Sequence, residues 1–90
     1  MSKTKTNLKP KSPMSPKDQQ AMFKEQAILF GKNVRKARRE FGFTAEDLAK
    51  YLGVTSAYVG LIERGNRTPS FKTLMLICEF FGKKASYFLK

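Results

Sequence analysis

The side chains that proteins commonly use for covalent, metal or proton-transfer chemistry are scarce in this chain. It has no histidine and a single cysteine, Cys78. A structural zinc site draws about four ligands from Cys, His and carboxylates, so no metal site is expected, and no other cofactor. One cysteine cannot close a disulfide within the chain, which suits a reducing cytosol. No nucleophile–base pair and no Gly-rich phosphate loop with its lysine stand out, so the residues of an enzyme are missing. Positive charge is what the chain has in excess: Lys and Arg number 18 against 7 Asp and Glu, a net charge of +11 with a pI of about 10.1. Such a balance points to a polyanionic partner, either nucleic acid or an acidic surface.

Residues 44 to 70 show what could present that charge. Thr44 is placed to cap a helix, and Asp47 stands at the capping-box distance from it. Leu48, Ala49 and Leu52 then share one helical face. Gly53 stops this helix, since glycine takes the left-handed conformation that other residues resist. Thr55 caps a second short helix. Within it Val59 and Ile62 face one way, while Ala57, Leu61 and Arg64 face nearly the opposite way. Gly65 ends it. Two short helices on a tight turn, the second with a buried stripe and a free face, read as a helix-turn-helix. A second helix of this kind can enter the major groove of DNA.

The stretch GFTAEDLAKYLGVTSAYVGLIERGNRTPS resembles the Cro-repressor or XRE-type (lambda-repressor-like) helix-turn-helix family. The likeness runs from about Leu29 to Leu89 and rests on Gly42, LAxxLGV, YVxxIERG, RTPS and the late FFG. It implies an all-α fold, a five-helix repressor-like DNA-binding domain, and a recognition helix at about Ser56–Arg64. In the family, the start and outward face of that helix meet base edges, which here are Ser56, Ala57, Gly60 and Leu61, with Tyr58 at the edge and Arg64 at the end. Phosphate contacts would fall to Thr44, Ala45, Thr55 and the loop Asn66, Arg67 and Thr68. The family also pairs an Arg of its first helix with the Glu ending the recognition helix, here Arg38 and Glu63. The chain departs from the family where many relatives carry Gln or Arg on the reading face and Gln at the place of Ala45. No Arg, Lys, Asn or Gln occurs from Ser56 to Ile62, and these are the types that read guanine and adenine by paired hydrogen bonds. Phosphate contacts should therefore dominate, with modest sequence preference.

Before this stretch, residues 1–14 are Lys, Ser, Thr and Pro with almost nothing to bury, and read as a disordered basic tail. It is either an arm lying on phosphates or a solubilising leader. Ser15-Pro16-Lys17-Asp18 is a helix start with a capping box. Phe23, Ala27, Phe30, Val34, Ala37 and Phe41 recur at steps of 4, 3, 4, 3 and 4. That stripe fits one helix from 16 to 41, or two with a break near Gly31. Residues 15–28 precede the family's first helix and form an additional helical segment. Its Met22, Phe23 and Ile28 are expected to pack on the domain, residues 29–90, with a dimer contact as the alternative. Lys32, Arg35, Lys36 and Arg39 read as a solvated basic face.

After the loop, Ser70 caps a further helix whose inward stripe is Phe71, Leu74, Ile77, Cys78 and Phe81, with Cys78 as a small buried apolar residue. Gly82 ends it, and Tyr87, Phe88 and Leu89 close the core. No effector domain is expected after them. The longest apolar run, Leu74 to Cys78, is far below the roughly 20 residues that span a bilayer, and no apolar segment of a signal peptide follows the basic N-terminus. A cytoplasmic, repressor-like transcriptional regulator on double-stranded DNA, acting as a homodimer, is the expected function. The alternative is an antitoxin-like or regulatory protein-interaction module that uses Leu61 or the 16–28 helix. A basic helix lying on a membrane surface is the weaker third choice.

Overall fold

The computed structural model describes residues 12–90. The expectation for the first eleven residues of the tail lies outside the described residues. Among the described residues there are four α-helices and one 3-10 turn: α1 (Pro16–Glu40), α2 (Ala45–Leu52), α3 (Ser56–Glu63), α4 (Phe71–Phe81) and the turn Ala85–Phe88. The fold is all-α, and no strand occurs among the described residues. The additional segment and the first helix of the domain are one uninterrupted helix of 25 residues, so Gly31 does not break it.

Local sequence explains the boundaries. Ser15, Thr44, Thr55 and Ser70 each accept, through the side-chain oxygen, from the backbone N–H three residues on, satisfying one orphan donor at every helix start. At α2 the capping box is complete, because Asp47 also accepts from the Thr44 N–H. At α1 only the Ser15 half forms, so Asp18 does not complete the expected box. Gly53, with φ +74, closes α2 and turns the chain directly into α3.

The core lies where α1, α2, α3 and α4 meet the closing turn. Phe30, Val34, Leu48, Val59, Ile62, Ile77, Phe81 and Phe88 are buried in it. Phe88 sets its ring edge-on to Phe30 at 5.6 Å between centroids, an arrangement that aromatic quadrupoles favour. Asn33 Nδ2 donates to the Phe88 carbonyl oxygen at 2.8 Å, tying the closing turn to α1. Phe80 lies against Phe43, Tyr51 and Phe81, a half-buried aromatic cluster with no marked spacing in the sequence. Cys78 is half-buried, and burial pushes its thiol above the usual range.

Three packing expectations are corrected. Met22 and Phe23 remain largely exposed, and Ile28 keeps an exposed side while it packs beneath Gly65; no residue from Pro16 to Gln26 is buried. Phe71 is 74% exposed; as the first residue of α4 it precedes the turn where that helix meets the core. Leu89 is also exposed, so Phe88 alone of the last apolar residues is buried.

Candidate nucleic-acid interface

The position of α3 follows from two residues of α1. Gly31 is buried at the α1–α3 crossing, where a Cβ would collide with the Ile62 carbonyl oxygen and lie 2.8 Å from that of Glu63. The two helices approach so closely that no side chain fits between their backbones. About two turns further along, Arg38 grips Glu63 in a fork: Nε donates to Oε2 at 2.7 Å and Nη2 to Oε1 at 3.1 Å. Both side chains are largely withdrawn from water, at 13% and 6% exposure. The hydrogen bond to Glu63 raises the Arg38 pKa above its ordinary value, against the opposing effect of burial. Arg38 Nη1 also donates to the Phe43 carbonyl oxygen at 3.0 Å, so one guanidinium ties α1 to both the end of α3 and the entry to α2.

With Val59, Ile62 and Glu63 turned inward, the opposite face of α3 is left to solvent. Ser56, Ala57 and Arg64 are exposed there, and Gly60 and Leu61 are half-buried. A Cβ on Gly60 would lie 3.0 Å from Arg64 Nη1, so the flexible arginine end lies over the glycine. Asn66, Arg67 and Thr68 continue this surface and are exposed. The Arg67 guanidinium carbon stands 5.6 Å from the centre of the Tyr58 ring, within cation–π range. Thr55, Ser56, Ala57, Tyr58, Gly60, Leu61, Arg64, Asn66, Arg67 and Thr68 thus belong to one helix, its cap and the loop that follows it.

The starts of α2 and α3 differ electrostatically. The first turn of α3 carries no acidic residue, and its Ser56 and Ala57 N–H groups lie beyond the reach of the Thr55 cap, which takes Tyr58 N–H at 3.1 Å. Free N–H groups and the helix dipole favour an anion there. The first turn of α2 carries Glu46 and Asp47. The Thr44 N–H already donates to Asp47 Oδ2 at 2.8 Å, and the Thr44 hydroxyl accepts from the Asp47 N–H at 3.0 Å. The Thr44 backbone N–H first, and the Thr44 side chain second, hold the Asp47 carboxyl below the usual carboxylate range. Thr44 and half-buried Ala45 therefore sit beside a fixed negative charge. Sequence reading gave Asp47 its capping role but not this effect on a phosphate.

Other positioning residues escaped the sequence reading. Gly31 enters that reading only as a helix break, one of two alternatives, and its contact with α3 is long-range. Asn33 has no local signal for its bond to Phe88, 55 residues away. Ile28 packs beneath Gly65, two residues past the end of α3, where a Cβ would fall 2.6 Å from Ile28 Cγ1. No group of three or more His, Cys, Asp or Glu is placed to hold a metal among the described residues. No helix among them is long and apolar enough to cross a membrane.

Known proteins share this arrangement. The Helix-turn-helix family pattern (HTH_3) matches residues 34–88. An uncharacterized HTH-type transcriptional regulator of Bacillus subtilis, YazB, is 44% identical over 45 residues, which are 50% of this chain and 65% of that protein. The crystal structure of the restriction-modification controller protein C.AhdI from Aeromonas hydrophila superposes with a TM-score of 0.66 at 26% identity, covering 71% of this chain and 97% of that one. The clp gene regulator ClgR from Corynebacterium glutamicum gives a TM-score of 0.68 at 26% identity, covering 71% of this chain and 68% of that one. The aligned stretch spans between 53% and 65% of the length of curated relatives such as YazB.

Proposed function

The chain belongs to the XRE-type helix-turn-helix family, and from that premise we propose that it is a DNA-binding transcriptional regulator whose α3 lies in the major groove. The observation that carries this reading is the outward face of α3. It has no acidic residue in its first turn, is rigidly backed by α1, and is continuous with the cations Arg64 and Arg67. Asn66, Arg67, Thr68, Thr55 and the free N–H groups at the start of α3 take phosphate oxygens. Ser56, Ala57, Gly60, Leu61 and Arg64 line the groove, with Tyr58 at its edge. Thr44 and Ala45 sit further out and contribute least, because Asp47 faces any phosphate that approaches them. Ala57 and Leu61 have no hydrogen-bonding groups for base edges, so apolar contact with thymine methyls is their role. Sequence preference is correspondingly modest, and backbone contacts supply most of the affinity.

In this reading the protein works in the cytoplasm as a homodimer on two half-sites. Support for self-association comes from Phe71 and Met75, exposed apolar side chains one turn apart on α4, since adjoining solvent-facing apolar groups favour an interface. The second reading, a regulator that binds a protein through α3, draws on the apolar outward residues Ala57 and Leu61. Salt separates the two. Titration of a mixed-sequence duplex pool at two salt concentrations should show affinity that falls steeply with salt, by a log–log slope of about 0.9 per phosphate contacted. Sequencing of the bound fraction should show a weak, two-fold-symmetric preference. Absence of binding at low salt would discard the DNA reading and favour the protein partner.

A further inference from the structure

The loop that follows α3 is seated on a part of α1 that the family pattern does not reach. Gly65, at φ +76, lies so close to Ile28 that a Cβ would come within 2.8 Å of the Ile28 Cα. Three and four residues later, Thr68 and Pro69 share the wall of a hollow of about 170 Å³ with Phe23, Gln26, Ala27 and Phe30 of α1. The backbone before Arg67 therefore has a fixed support on α1, and the residues after it border the same end of that helix. The exposed Arg67 side chain has a support too, the ring of Tyr58, 5.6 Å from the guanidinium carbon. Tyr58 is half-buried among the residues packed on the core, and its N–H is held by the Thr55 cap. Arginine ordinarily samples many rotamers, and immobilising them opposes binding. A guanidinium already held over a seated ring at cation–π distance has lost part of that freedom before any ligand arrives.

We propose that Tyr58 is a positioning residue for Arg67: its ring holds the guanidinium beside the start of the recognition helix, aimed at a DNA phosphate, and makes no essential contact with DNA itself. This rests on the DNA-binding reading above and adds to it a division of labour between two neighbouring residues. The base of α1, through Ile28 and Phe23, supports the same loop from beneath.

A double-mutant cycle tests it, using the full chain and a mixed-sequence duplex labelled for anisotropy. Arg67→Ala should weaken binding and lower the log–log salt slope by about 0.9, the loss of one phosphate contact. Tyr58→Leu should weaken binding about three- to tenfold, in line with one freed arginine side chain, while leaving the salt slope unchanged. Adding Tyr58→Leu to Arg67→Ala should cost nothing further. Tyr58→Phe keeps the ring and should bind as the parent does. Arg67→Lys, on an exposed loop where folding is not at risk, keeps the charge but loses the guanidinium over the ring; it should retain the slope and lose about as much affinity as Tyr58→Leu. Additive losses in the double variant would overturn the proposal, since Tyr58 would then touch DNA on its own account. Parent-like binding by both Tyr58→Leu and Arg67→Lys would overturn it as well. If Arg67→Ala binds as the parent does, the loop is not a phosphate site and the proposal falls while the recognition helix keeps its role. If the parent chain does not bind DNA, both readings fall together.

Discussion

The two faces of α3 are built on opposite terms. The inward face is fitted to α1 at backbone distance, with Gly31 under the Ile62 and Glu63 carbonyls and the Arg38 fork on the Glu63 carboxylate. Every position there is constrained by shape, charge or both. The outward face carries small or apolar residues, Ser56, Ala57, Gly60 and Leu61, which are exposed or half-buried. A helix held so firmly from behind needs little from its front to stay folded. That frees the front to be matched to a partner, and here it has been left nearly bare of hydrogen-bonding side chains. Affinity must then come from the edges of the helix, where Arg64, Arg67 and the α3 start stand.

Breaking the inward face should give the largest effects. Arg38→Gln leaves the Glu63 carboxylate without its charged partner, and loss of about 3 kcal/mol is expected, the low end of the range for buried pairs because Arg38 retains some exposure. Urea unfolding of parent and variant measures it; a loss below about 1 kcal/mol would make the pair an ordinary surface contact. Gly31→Ala sets a methyl against backbone that cannot move aside, at an expected cost of about 2–3 kcal/mol. The same change should weaken DNA binding, since α3 must shift to admit it. A variant as stable as the parent would show that the α1–α3 crossing is loose.

The outward face should answer with the other sign. Gly60→Ala is expected to stabilise the fold by about 0.5–1 kcal/mol, the usual gain for removing a mid-helix glycine, with the Arg64 end swinging clear. Affinity for DNA should fall several-fold if the helix backbone must come close to the duplex. Unchanged affinity in binding titrations would assign Gly60 no role in that approach.

The smallest effect concerns the start of α2. Asp47 is held below its ordinary pKa by Thr44, so the unfolded chain binds more protons than the folded one in this range. Its contribution is therefore complete above the unfolded carboxylate value, about pH 4, and is lost as pH falls through the folded value. Asp47→Asn should flatten that acid limb of the melting temperature. It should also tighten DNA binding slightly by removing a charge that repels phosphate. If the acid limbs of parent and variant coincide, the capping box contributes nothing measurable to stability.

Much of the candidate site was legible in the chain itself. The caps at Thr44 and Thr55, the stop at Gly53 and the opposed stripes of α3 are local, set by residues within four positions of each other, and such signals survive without tertiary context. The Arg38–Glu63 pair was legible only through family resemblance, because 25 residues separate its members. Phe71 was misplaced because it continues an apolar period past the point where a neighbouring helix exists to receive it, and Phe23 because what stands opposite it covers it in part. Periodicity says which way a side chain points, not whether anything stands opposite.

By itself, the sequence determined the helical class, the helix starts, the tight turn of the helix-turn-helix and the sign of the charge that the protein presents. Each depends on short-range sterics, capping bonds or a simple sum. Only the tertiary structure decided that α1 runs unbroken through Gly31, that the glycine serves the contact with α3, and that Tyr58 and Ile28 converge on the loop carrying Arg67. Those outcomes depend on the distance between backbones brought together from far along the chain, which no local pattern encodes.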